Sequence, residues 1–303
     1  MWIKNLCVFQ SSERFTFTAQ ELEDTLQAVR CGKLGSQSLS TEGVVAPLKD
    51  HEALLHSDGS LILGMYQETS RLLPGAVVKE LLDEKLALIE EEEGRRPGRK
   101  ERADLKDQIT FELMPRAFTR SRRTPFLIDL QRHRILVDAG TDARAEQVIT
   151  LLRKAIGSLP VTRPNAGFSP ATALTQWLRE PGAMPAGFTL GDRVELKSTA
   201  DDKASARFSA LDLGSNEVLA HLDGGMQATK LNMVWNDEFE FDLTDTLQLK
   251  RIKPLELTQE NLDNLRDDDA LAELMARLSL QAGLLRDVLD RLYEHFEVET
   301  VEA

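Results

Sequence analysis

The stretch from residue 74 to residue 113 constrains the fold most, because it has a helical pattern and lies between two β-rich stretches. After Pro74, apolar residues recur at helical spacing as far as Glu93. A break rich in Gly, Pro and Arg spans Gly94 to Lys100, and the helical pattern resumes from Glu101 to Leu113. Two helices joined by a short loop make a helical hairpin. We therefore predict a hairpin that projects from a mixed α+β domain, with its loop at the tip.

Short apolar runs bounded by turn signals lie on both sides of this hairpin. Trp2 to Phe9 is apolar at both alternating sets of positions, as expected of a strand buried on both faces. Asp58-Gly59 separates two such runs and is a strong hairpin signal. Thr124 to Leu130 and Arg134 to Asp138 predict a second pair of strands.

The second half of the chain is also β-rich and ends in a long helix. Phe188 to Lys197 and Ala204 to Leu211 predict strands around a turn at Asp201-Asp202. Further runs between Met226 and Ile252 predict a three-stranded meander, and an apolar stripe predicts a helix from Asp267 to Phe296. Such a stripe, which includes Leu278 and Leu285, is typical of a core helix but is also compatible with an interface.

These patterns predict the fold class α+β, with mixed β-sheet domains, an inserted helical hairpin and a long C-terminal helix. We expect a central α+β domain in two parts, residues 1–75 and 116–180. The hairpin at 76–115 interrupts it. A base domain at 181–303 contains the meander and the C-terminal helix.

Charge is segregated along the chain. The protein carries a formal net charge of -13, yet residues 95–134 hold 12 Lys and Arg against 5 Asp and Glu. That segment has a local charge of +7, which leaves -20 for the remainder. Because physiological salt screens charges over about 8 Å, a basic surface can attract DNA while an acidic face lies further away. The acidic total therefore does not exclude nucleic acid as a ligand.

The densest basic stretch is Met114 to Arg134, which contains six arginines and one acid, Asp129. Arginine has a permanent charge and a planar guanidinium that binds phosphate oxygens in pairs. Phe118 lies between Arg116 and Arg120, and an aromatic ring there could stack on a base or wedge at a base step. The alternative is that these arginines pair with surface acids and that Phe118 belongs to the core.

Patterns of catalysis are not found in the sequence. The five histidines lack the spacing that places two metal ligands on one helical face, and neither a Gly-x-Ser-x-Gly motif nor a phosphate-binding loop occurs. Cys7 and Cys31 match no metal or redox spacing, and although they could form one disulfide, we expect free buried thiols in a reducing cytosol. We expect a cytoplasmic protein that is not an enzyme, with no metal, cofactor, signal peptide or membrane span.

Several blocks of the sequence resemble the RdgC family of bacterial recombination-associated proteins. The signature-like stretch is Leu113 to Arg120, and the opening residues 1–6 and the block Leu151 to Val161 are also similar. Shorter matches complete the resemblance over nearly the full length: Gly187-Phe188, Glu195-Leu196-Lys197, Thr229-Lys230-Leu231, Trp235 and Leu249-Lys250-Arg251.

The resemblance implies a ring-shaped homodimer whose positive central hole surrounds double-stranded DNA. Members of this family are thought to restrain the recombinase RecA by occupying DNA, which implies a nucleoid-associated protein with weak sequence preference. The residues that we expect to contact DNA are Arg116, Phe118, Arg120, Arg122, Arg123, Lys197, Lys230, Lys250 and Arg251. The cations would neutralise phosphates, and Phe118 could pack either at a dimer interface or on DNA. The alternatives are a module that contacts the recombinase directly and a metal-dependent nuclease.

Overall fold

The structure, a computed structural model, describes residues 2–49, 51–200 and 204–301. The turn predicted at Asp201-Asp202 lies outside the described residues. Within those residues the fold is α+β, with twelve strands in one sheet of antiparallel pairs and eight α-helices. This confirms the predicted fold class and the long C-terminal helix. The domain boundaries stay a prediction.

The strands are β1 Leu6–Ser11, β2 Ser40–Val45, β3 Leu55–Ser57, β4 Leu61–Leu72, β5 Phe118–Asp129, β6 Arg134–Asp138, β7 Val161–Thr162, β8 Phe188–Ser198, β9 Ser205–Ser209, β10 Met226–Trp235, β11 Phe239–Thr244 and β12 Leu249–Pro254. The helices are α1 Ala19–Leu26, α2 Gly75–Glu93, α3 Arg99–Leu113, α4 Asp142–Ile156, α5 Pro170–Arg179, α6 Asn216–Asp223, α7 Glu256–Asn264 and α8 Ala270–His295.

A single sheet runs through both halves of the chain. Its strand order is β2-β4-β5-β6-β1-β12-β11-β10-β8-β9, with β3 paired to β4 and β7 paired to β1. The first and second halves meet where β1 pairs with β12, at Leu6 and Leu249. The meander β10-β11-β12 and the two hairpins therefore belong to one continuous layer.

Alternation along the strands divides the apolar side chains between the two faces of this sheet. Leu6 and Val8 contribute to a core that includes the apolar residues of α5, α6 and α8. Cys7 and Phe9 contribute to a second core beneath α1 and α4. All six residues of β1 are buried, as predicted for a strand with helices on both sides.

Helix α8 lies on the first face and is fixed to it by its apolar stripe. Leu278 and Leu285 are 0% and 1% exposed, so both belong to the core of the monomer. Gln281 Nε2 donates to the carbonyl of Ile3 at 2.9 Å, and the Ile3 N–H donates to Gln281 Oε1 at 2.8 Å. The possibility that Leu278 and Leu285 form an interface is therefore wrong.

Helices α2 and α3 form the predicted hairpin between β4 and β5. Two details of the sequence interpretation need correction. The strand expected to begin at Thr124 begins at Phe118, because β4 continues to Leu72 and pairs with it along its whole length. Helix α7 was not predicted.

Among the described residues, no helix is both long enough and apolar enough to cross a membrane.

Candidate nucleic-acid interface

The basic stretch forms the first half of β5. Cross-strand pairing sets Arg120 opposite Ser70, and Arg122 opposite Glu68 of β4. Because side chains alternate along a strand, Arg120 and Arg122 lie on the same face as Phe126. Phe126 itself is buried beneath α1 and α4. Both arginines lie beyond the covered part of that face and are exposed.

Arg123 and Arg116 are placed differently from these two. Arg123 points to the opposite face of β5, with Leu127, and its guanidinium donates to the carbonyl of Ala46. Arg116 is exposed in a short 3-10 turn that joins α3 to β5. The structure therefore brings Arg120 and Arg122 together and sets Arg123 apart.

Phe118 is the first residue of β5 and is 84% exposed. Its partner across the strands is Leu72, which is 47% exposed. The alternative that Phe118 belongs to the monomer core is therefore wrong. By alternation its ring lies on the same face as Arg120 and Arg122, so an uncovered aromatic ring stands beside two uncovered guanidinium groups.

The cations from the second half lie on the side of the sheet away from α8. In β8, Val194 and Leu196 belong to the core under α8. Lys197 alternates with them and therefore lies on the opposite side of the sheet. Lys230 does the same in β10, where its Nζ lies 3.2 Å from a carboxylate oxygen of Glu195.

Lys250 and Arg251 occupy neighbouring positions in β12. The Nζ of Lys250 donates to the carbonyls of Ala139 at 3.1 Å and Gly140 at 3.4 Å, and it lies 3.5 Å from the sulfur of Cys7. Arg251 has a φ of 52°, and its guanidinium lies 3.6 Å from the carboxylate of Asp242.

Pairing across the whole sheet places both groups of cations on one face. Lys250 contacts Cys7, whose side chain lies on the face covered by α1 and α4. That face also carries Arg120 and Arg122 at the far side of the covered region. The predicted residues on this face are Phe118, Arg120, Arg122, Lys197, Lys230 and Lys250, and the Arg251 guanidinium joins them by its contact with Asp242.

Sequence reasoning missed two arginines on this surface. Arg193 and Arg207 line a cavity of about 310 Å³ together with Lys230 and Arg251. Arg193 alternates with Val194 in β8, and Arg207 pairs directly with Glu195 across β9. The alternation of charged and apolar residues over 193–197 could have indicated that Arg193, Glu195 and Lys197 share one face of a strand. It does not show where that face lies in the folded sheet.

Carboxylates lie on the same face of the sheet as these cations. Asp242 is 2% exposed and accepts from Arg193 at 3.3 Å and from the amide of Asn232 at 3.1 Å. Burial acts to raise the pKa of Glu195, but hydrogen bonds and charge from Lys230 and Arg207 outweigh it, so that its pKa is lowered. The cations of the second half are therefore partly neutralised, whereas Arg120 and Arg122 have no ion pair among the described contacts.

Two arginines at the tip of the hairpin, Arg95 and Arg96, form ion pairs within the hairpin. Arg95 lies 2.7 Å from Glu93 and 2.7 Å from Glu101, and Arg96 lies 2.8 Å from Glu90.

Within the described ranges, no group of three or more His, Cys, Asp or Glu is arranged to hold a metal ion.

Comparison with known proteins gives one family. The family model described as "Putative exonuclease, RdgC" matches residues 1–299. The chain is similar to proteins named "Recombination-associated protein RdgC". It is 34% identical over 295 residues to that of Proteus mirabilis and 37% identical over 294 residues to that of Aeromonas hydrophila, covering 97% of each chain in both cases.

Proposed function

The chain belongs to the RdgC family, and on this premise we propose that two copies close into a ring that surrounds double-stranded DNA. The cations would line the hole and neutralise phosphates, with little dependence on base sequence. By occupying DNA, the ring would restrain RecA-dependent recombination in the nucleoid.

The observation that carries this proposal is the shared face of the sheet. Arg120 and Arg122 from the first half, and Lys197 and Lys230 from the second, lie on the same side of one continuous layer. Helices α1 and α4 cover the part of this face between the two groups of cations, and α5, α6 and α8 pack against the other face. A surface that carries cations at both ends suits a long polyanion better than a small ligand.

The distribution of acids supports the same arrangement. Residues 90–93 on α2 and 267–269 before α8 are exposed carboxylates. Because these residues lie outside the strands that carry the cations, they would leave the inner wall of a ring positive while the chain as a whole stays acidic.

Exposed apolar side chains support the two contacts that close the ring. Leu88 and Phe111 on the helical hairpin are 55% and 61% exposed, and Leu257 on α7 is 62% exposed. In the proposed dimer the hairpin meets its mate at one end and the C-terminal part meets its mate at the other. Each contact would be self-complementary, as two-fold symmetry requires.

A salt series on duplexes of unrelated sequence tests DNA binding. Phosphate neutralisation predicts that log affinity falls with log salt at a slope of about -0.9 per phosphate. A solution scattering envelope tests the ring: a central hole is expected, and a compact envelope without one would reject encirclement.

The exposure of Phe118 favours a second candidate function, direct contact with the recombinase. An uncovered aromatic ring is a common anchor in protein interfaces. Under this alternative the salt slope is near zero, or inhibition of the recombinase survives when DNA binding is lost.

The description of the family model also names exonuclease activity, so this too requires a test. We propose that the chain acts by binding alone. Labelled duplex incubated with magnesium, manganese or zinc should stay intact, and shortening of its ends in any of the three would reject a purely binding function.

A further inference from the structure

The carboxylate of Glu195 lies between two cations on the face of the sheet that also carries Arg120 and Arg122. One oxygen is 3.2 Å from Lys230 Nζ and 3.3 Å from Arg207 Nε, and the other is 3.4 Å from a terminal nitrogen of Arg207. The side chain of Glu195 is only 15% exposed, whereas those of Lys230 and Arg207 are 37% and 76% exposed. The acid is held in place, and the cations reach solvent.

The cavity around this group contains a second carboxylate of a different kind. Asp242 is bound by Arg193 and Asn232 and lies within 3.6 Å of Arg251. Its side chain is 3% exposed, so it is fixed within the sheet. Glu195 is therefore the carboxylate whose cationic partners can turn to another anion without breaking a buried network.

A phosphodiester oxygen accepts the same charge-assisted hydrogen bonds as a carboxylate oxygen. We infer that the Glu195 carboxylate competes with a DNA backbone phosphate for Lys230 and Arg207, and that on DNA binding these two cations turn outward and exchange carboxylate for phosphate. This inference rests on the proposed function. It adds Arg207 to the phosphate contacts and makes Glu195 an internal competitor of DNA.

The exchange has two measurable consequences. Because Glu195 already neutralises one of the two positive charges of Lys230 and Arg207, binding releases fewer counterions than the number of cations on the face suggests. Removing the competing charge should free both cations. Glu195→Gln should therefore bind duplex about five-fold more tightly and steepen the salt slope by about 0.9.

The experiment compares binding to one duplex over a salt series for the wild-type chain and four variants. Glu217→Gln is the matched control for Glu195→Gln, because it removes the same charge at an exposed position of helix α6, which packs on the opposite side of the sheet. Arg207→Gln is compared with Arg266→Gln, whose side chain is 73% exposed and paired with Asp263.

Tighter binding and a steeper slope for Glu195→Gln, but not for Glu217→Gln, support the inference. Equal behaviour of those two variants overturns it, while the proposed function stands if the wild-type chain binds duplex with a negative slope. If the wild-type chain shows no such binding, the proposed function itself fails. Should Glu195→Gln not fold, Arg207→Gln decides: an effect no larger than that of Arg266→Gln overturns the inference.

Discussion

Arg286 of α8 donates to both carboxylate oxygens of Asp129 at the end of β5, at 2.6 and 2.9 Å. Asp129 is the one acid of the basic stretch, and it is 1% exposed. The pair joins the C-terminal helix to the strand that carries Arg120 and Arg122. Because Asp129 is turned inward, it does not neutralise those two arginines at the surface.

The first prediction concerns this pair. Arg286→Ala should lower the free energy of unfolding by about 3 kcal/mol, because it leaves a buried carboxylate without its cation. Urea unfolding measures the change. Arg291→Ala, which breaks an exposed pair with Glu294, is the control and should cost less than about 1 kcal/mol. Equal losses in the two variants would contradict a structural role for the buried pair.

The second prediction separates the two faces of β5. Replacing Arg120 and Arg122 together with alanine should weaken binding to unrelated duplexes equally and make the salt slope about 1.8 less negative, since two phosphate contacts are lost. Arg123→Ala, on the opposite face, should leave the slope nearly unchanged. A loss confined to one DNA sequence, or a larger effect from Arg123→Ala, would count against the assignment.

The third prediction concerns Phe118. Since the ring is 84% exposed, Phe118→Ser should leave the melting temperature within about a degree of the wild type. Loss of a stacking or wedging contact should weaken duplex binding at least five-fold, taking about 1 kcal/mol for such a contact. Sedimentation reports whether the dimer persists. Leu39→Ser, at a residue 61% exposed elsewhere, is the control; unchanged DNA binding with dissociated dimers would assign Phe118 to an interface.

The fourth prediction uses the position of α8 in the core. Leu278→Asp should destabilise the monomer by more than about 4 kcal/mol, because it places an unpaired charge at a site that is 0% exposed. Circular dichroism and thermal melting detect the loss of fold. Leu257→Asp, at a residue 62% exposed, should remain folded. A Leu278→Asp protein as stable as the wild type would contradict the placement of α8 in the core of the monomer.

The sequence predicts elements well where a local signal marks both ends. Helix α4 spans Asp142–Ile156, with the Thr141 hydroxyl accepting the N–H of Arg144 at its start and Gly157 at its end, and both residue types are boundary signals that a sequence shows. The first half of β5 was missed because it has no apolar face. Its strand conformation depends on pairing with β4, which a single-sequence pattern does not reveal.

The candidate site shows the same division. The type of residue was readable from sequence, since arginines and lysines at those positions suit phosphate. Their common face was not, because it depends on β1 pairing with β12 across more than 240 residues. For the same reason, the partners Glu195 and Asp242, which neutralise Lys230 and Arg251, could be found only in the folded chain.

The last prediction concerns the pH dependence of stability. His133 is 6% exposed, and its Nδ1 accepts the backbone N–H of Phe15 at 3.1 Å. Burial, and to a lesser extent the charge of Arg14, lower the pKa of His133 below 6.5. Its contribution to stability is therefore complete above pH 6.5 and is lost as the pH falls through that value, because the unfolded chain takes up a proton first.

His133→Asn removes the titrating group and suits the φ of 52° at this position, since asparagine tolerates left-handed backbone conformations. Unfolding free energies measured from about pH 7.5 down to about pH 5.5 should fall more steeply for the wild-type chain than for this variant. His56 and His295 also have lowered pKa values, so the variant should keep part of the acid sensitivity. Parallel curves for the two proteins would show that His133 does not titrate differently in the folded chain.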